Sequence, residues 1–80
     1  MRVVCVDDEP DALEAVEREL GKIAEVADIK TFLSPAQALE YISRQETDVA
    51  ILDIDMRTMD GLSLAKKIRE QSPRTNIIFL

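Results

Sequence analysis

The chain has 80 residues, with Asp and Glu numbering 16 against 10 Lys and Arg, for a net charge of −6. That length holds one small domain, which buries only roughly 60–65% of its unfolded surface and so has a thin stability margin, while 46% hydrophobic residues exclude a disordered chain. The acidic balance argues against direct nucleic-acid binding, the lack of His excludes His-dependent hydrolases and His-bearing metal sites, and a lone Cys excludes an internal disulfide or a Cys-rich zinc site.

Val3 to Val6 is a short apolar run closed by Asp7 and Asp8, and it is predicted to be a strand covered on both faces. It is too short for a signal peptide, and no stretch approaches the roughly 20 apolar residues of a membrane span; a soluble, cytoplasmic protein is expected. The first helix opens at Pro10, which suits a first helical position, with Asp11 and Glu14 near its positive end and Gly21 closing it. Leu13, Val16 and Leu20 share its apolar face. A second strand lies around Val26 to Thr31, where Asp28 and Lys30 alternate with Ala27 and Ile29 as on a sheet edge. Ser34-Pro35 starts a second helix with a side-chain cap and a first-turn proline, and Ala38, Leu39 and Ile42 line its inner side. Val49 to Leu52 is a third strand, followed at once by Asp53. A third helix is expected from about Leu62 to Gln71, with Leu64, Ala65 and Ile68 inward, and Pro73 stops it; Ile77 to Leu80 is a fourth strand.

Strands alternating with helices predict right-handed crossovers and a parallel sheet with helices on both faces. In such a sheet ligands collect beyond the carboxyl ends of the strands. Asp7 and Asp8 follow the first strand and Asp53 the third, so neighbouring strands would bring all three to one patch. Two carboxylates about 5 Å apart repel by roughly 3 kcal/mol at an effective dielectric of 20. Either a proton stays on or a divalent cation sits between them, and hard oxygen ligands with retained waters suit Mg²⁺. The plainer alternative is that Asp8 or Asp11 merely caps the first helix.

The segment VVCVDDEP, Val3 to Pro10, together with DIDMRTMDG, Asp53 to Gly61, resembles the receiver domain of two-component response regulators over the whole chain. The resemblance implies a flavodoxin-like parallel sheet, here four strands in the order 2-1-3-4 with three helices. It implies that Asp53 accepts a phosphoryl group from a histidine kinase or a small phosphodonor. It also implies that Asp7, Asp8, Asp53 and the backbone carbonyl of Asp55 hold Mg²⁺. The 80 residues then form a single partial receiver domain, without the fourth helix, fifth strand and fifth helix, or the hydroxyl and Lys that the family places after strands four and five. Signalling is accordingly expected to be impaired, with self-association through the exposed Ile77 to Leu80 edge.

Asp60 is read as the cap of the third helix, Gly61 as a backbone conformation closed to other residues, and Met56 and Met59 as packing under the loop. Arg57 stands where the family usually has proline and predicts a looser loop, Asp55 adds a charge that could alter hydrolysis, and Cys5 is expected in the core. Two other functions are open. Asp53-x-Asp55 followed by Thr58 resembles the nucleophile and general acid of a haloacid-dehalogenase-type phosphatase, although that motif normally follows the first strand. A structural or dimerisation module with a disused acidic pocket is the other.

Overall fold

The computed structural model describes residues 1–80 as one sheet of four parallel strands with three crossover helices. The elements are β1 (Arg2–Val6), α1 (Pro10–Leu20), β2 (Asp28–Phe32), α2 (Pro35–Arg44), β3 (Val49–Leu52), α3 (Gly61–Gln71) and β4 (Asn76–Phe79). Their order in the sheet is β2-β1-β3-β4, the expected one. β1 is central, and its consecutive apolar residues are covered on both faces: Val3 and Cys5 point one way, Val4 and Val6 the other.

The two faces differ. α2 and α3 cover one of them, where Val4, Val6, Ala50 and Leu52 pack against Ala38, Ile42, Leu64, Ala65 and Ile68. Each large aliphatic side chain buried here contributes roughly 1.5–3 kcal/mol through apolar area removed from water. The other face has α1 alone, and its buried cluster is Val3, Cys5 and Leu13, flanked by partly buried Val16, Leu20, Ile29, Val49 and Ile51. Ile78 pairs in register with Ile51 on that thin face and stays 49% exposed. Burial on the α1 side pushes the Cys5 thiol up to about 11, with the charge of Glu17 adding to it, so the cysteine is an inert core residue as expected.

Local punctuation follows the residues. Ser34 caps α2 by accepting from the amide of Gln37 at 3.3 Å, and Asp60 caps α3 by accepting from Ser63 at 2.8 Å. Three expected boundaries move. β2 begins at Asp28 because register pairs Asp28 with Arg2, while Val26 closes a turn onto the carbonyl of Ile23 at 3.1 Å. β4 begins at Asn76 and ends at Phe79, although the amide of Leu80 still donates to Leu52 at 2.9 Å. α3 starts at Gly61, one residue before expectation, where Asp60 sets the cap. No helix is long and apolar enough to cross a membrane.

Candidate functional site at the carboxyl ends of β1 and β3

β1 and β3 are paired with Val6 opposite Leu52, so the chain leaves both strands at the same level. The amide of Asp53 donates to the carbonyl of Val6 at 3.0 Å, and the amide of Asp7 donates to Phe32 of β2 at 3.2 Å. These backbone bonds extend the ladder by one residue and fix where the acidic side chains start. As a result Asp7, Asp8 and Asp53, some 46 positions apart in sequence, each offer a carboxylate oxygen, and those oxygens lie within 4.8 Å of one another. All three side chains are half-buried.

The electrostatics match the crowding. Asp7 titrates above the ordinary carboxylate value, chiefly because it is partly buried and then because Asp53, Asp8 and Glu9 are negative. A hydrogen bond from the amide of Glu9 to Asp7 Oδ1, 2.9 Å long, works in the opposite direction. The only ion pair any of the three makes is between Asp8 and Arg57. Three oxygen donors with a shared charge excess in so small a space form a donor set suited to a hard divalent cation such as Mg²⁺.

The helix-capping alternative fails for Asp8. Glu9 is the N-cap of α1, and no side chain caps it; the Asp8 carboxylate instead accepts from the amide of Arg57 at 3.0 Å and from its Nε at 3.4 Å. Asp11 is exposed in the first turn of α1 and makes no capping hydrogen bond either. The side chain of Asp55 is also exposed, and its amide donates to Asp53 Oδ1 at 3.4 Å, which shapes the turn directly after Asp53.

The loop between Asp53 and α3 corrects two expectations. Gly61 does not have a positive φ. It is required for space: a Cβ there would collide with the carbonyl oxygen of Asp53 and lie 2.9 Å from Ile54 Cα, while its amide donates to Ile54 at 2.8 Å. Arg57 does not loosen the loop. Its main-chain N–H, which a proline would lack, ties the loop to Asp8 across 49 residues of sequence. That tether was invisible in the sequence because it depends on where β1 ends in space. Met56 is buried and Met59 partly buried against the main core, so both pack under the loop as expected.

At the opposite rim the roomiest hollow, about 350 Å³, is lined by Glu46, Thr47, Asp48, Gln71, Ser72, Pro73 and Arg74. It lies at the amino ends of the strands, far from the carboxylates, and has no hydrophobic lining.

Comparison with known proteins agrees with this architecture. The family model of the response regulator receiver domain matches residues 3–80, and the chain belongs to that family. It is 37% identical over 78 residues to a protein-glutamate methylesterase/protein-glutamine glutaminase of Leptospira interrogans, covering 98% of this chain and 22% of that protein. The Fimbriae Z protein of Salmonella typhimurium is 31% identical, with 98% of this chain and 37% of that protein covered. The chain thus spans between about a fifth and two fifths of these relatives. Among solved structures, the response regulator TrrA of Thermotoga maritima in complex with Mg²⁺-BeF is 35% identical with a TM-score of 0.87, covering 98% of this chain and 66% of that one. The isolated REC domain of RcsB from Salmonella enterica, in the presence of phosphomimetic BeF₃⁻, gives a TM-score of 0.89 at 27% identity, covering 99% of this chain and 59% of that one. The chain is a receiver domain of the two-component kind, and the phosphatase reading, whose acidic motif belongs after a first strand, has no support beside it.

Proposed function

We propose that Asp53 is the phosphoryl acceptor and that Asp7, Asp8, Asp53 and the backbone carbonyl of Asp55 hold Mg²⁺ beside it. The observation that carries this reading is the meeting of three carboxylates within 4.8 Å at the ends of adjacent strands, in a chain of the receiver family. A carboxylate oxygen of Asp53 forms the new P–O bond, while the donor's bond to phosphorus breaks and its electron pair leaves with the donor: the imidazole of a kinase phosphohistidine or the acetate of acetyl phosphate. When bound, Mg²⁺ neutralises the charge on the incoming phosphoryl oxygens. The donor already activates the phosphoryl group, so the chain's own part is positioning. The backbone bond from Asp53 to Val6 and the absence of a Cβ at Gly61 hold the acceptor in place. The product is one stoichiometric acyl phosphate rather than repeated turnover, and a cytoplasmic location goes with such a donor.

The 80 residues make up the first four strands and three helices of a receiver, with the fourth helix, fifth strand and fifth helix outside the segment. Taken as an isolated segment, its thin α1 face and the β4 side, where Ile78 is 49% and the following Leu80 67% exposed, favour pairing with a second copy. A monodisperse, well-folded monomer at high concentration in sedimentation would argue against that pairing.

Mass spectrometry after incubation with acetyl phosphate and Mg²⁺ tests the central reading. One phosphoryl addition is expected on the wild-type chain, and none on Asp53→Asn with its circular dichroism intact. Equal labelling of the two would overturn it. A Mg²⁺ titration separates this reading from a disused acidic pocket: specific binding lost in Asp8→Ala supports the receiver, and no specific binding supports a purely structural module.

A further inference from the structure

We infer that Arg57 is the built-in counter-ion of the acidic trio, pairing with Asp8 and lowering the affinity for Mg²⁺ because the cation must displace or tolerate it. The inference rests on the metal reading above and adds a residue that sets its strength. Two donors of Arg57, the main-chain N–H at 3.0 Å and the side-chain Nε at 3.4 Å, converge on the same oxygen, Oδ2 of Asp8. No other cation pairs with Asp7, Asp8 or Asp53, so this guanidinium is the one positive charge set against three crowded carboxylates.

The two halves of the contact differ in how firmly they are held. The main-chain donor is fixed by the loop, which Met56 anchors from below. The side chain is 82% exposed, whereas that of Asp8 is 21% exposed. The guanidinium can therefore swing into solvent when a divalent ion arrives, while the amide stays on Oδ2 and leaves Oδ1 for the ion. Until it swings away, it repels an incoming cation and neutralises part of the charge that would attract one. The loop keeps its orienting bond, and Mg²⁺ affinity is tuned by the charge alone.

Calorimetric titration of the full chain with MgCl₂ tests this, comparing wild type with Arg57→Gln, which keeps the main-chain donor and removes the charge, and Arg57→Lys, which restores a charge. Arg57→Gln should bind Mg²⁺ about two- to fivefold tighter at low salt, the scale on which one exposed charge acts on another. The gain should shrink towards nothing at about 1 M KCl, where the screening length falls to roughly 3 Å. Arg57→Lys should return towards the wild-type affinity, which a merely structural role would not produce. Unchanged or weaker binding by Arg57→Gln at low salt overturns the inference while leaving the metal site standing. If wild type shows no Mg²⁺ binding that Asp8→Ala removes, the metal reading fails and the role of Arg57 with it.

Discussion

The two rims of the sheet treat acidic residues in opposite ways. At the amino ends of the strands the guanidinium of Arg2 binds Asp28 at 2.9 Å, and its amide donates to Asp48 at 2.7 Å. Nearby, the buried hydroxyl of Thr75 donates to the carbonyl of Thr47 at 2.7 Å and lies 2.6 Å from that of Ser72. No buried side-chain polar atom there lacks a partner, and the rim ties β1, β2, β3 and the α3–β4 connection together. At the carboxyl ends, three carboxylates face one another with a single exposed arginine between them and neutrality. One rim is satisfied by its own chain and serves stability. The other keeps charge uncompensated, at a cost to stability, and is the rim on which chemistry is proposed.

The sharpest break between the rims comes from Asp53→Asn against Thr75→Val. The first should abolish phosphoryl incorporation, read by mass, and leave folding intact. The second should leave incorporation per folded molecule unchanged and lower stability. Gly61→Ala should act on both properties at once, because its methyl group meets main chain rather than a flexible side chain. A loss of about 1–3 kcal/mol in urea unfolding is expected, together with reduced phosphorylation, since the displaced backbone is that of Asp53. For Thr75→Val the expected loss is also about 1–3 kcal/mol, the cost of leaving the Thr47 carbonyl and the Ser72 hydroxyl without their partner; unchanged urea midpoints would show that the amino-end rim carries no such load.

The smallest effect is that of pH on the crowded rim. Asp7 holds its proton more tightly in the folded chain than at its ordinary value of 3.8. The contribution of Asp7 is therefore fully present below that pH and is lost as pH rises through the raised value. In EDTA, Asp7→Asn should remove this loss and stabilise the neutral-pH protein by a few tenths of a kcal/mol, roughly the worth of a partly exposed charge contact. In Mg²⁺ the sign should reverse, because the variant gives up a metal ligand. Thermal melts across pH 4–7 with and without Mg²⁺ read both arms, and a variant less stable than wild type in EDTA would show that the trio is not under strain.

Much of the fold was legible in the residues because each element carries local chemistry that does not depend on its neighbours. Val3 to Val6 and Val49 to Leu52 are apolar without alternation, as strands covered on both sides must be. Ser34 and Asp60 mark helix starts because their oxygens satisfy amides that a helix leaves free. The convergence of Asp7, Asp8 and Asp53 was legible only through topology: once β1 and β3 are neighbours, residues one or two past the strand ends must meet. The edges of β2 and β4 were placed one or two residues off, since register is set by the partner strand and not by the segment itself.

By itself, then, the sequence determined the alternation of strands and helices, their inner faces and the three acidic residues that follow strands. Those properties arise from periodicity and capping, which act over a few residues. The tertiary structure alone decided that Gly61 is needed for room against Asp53 rather than for an unusual φ, and that Arg57 fastens the loop to Asp8. Both depend on how closely two distant stretches of backbone approach, a distance fixed by packing of α3 against the sheet and by no local pattern.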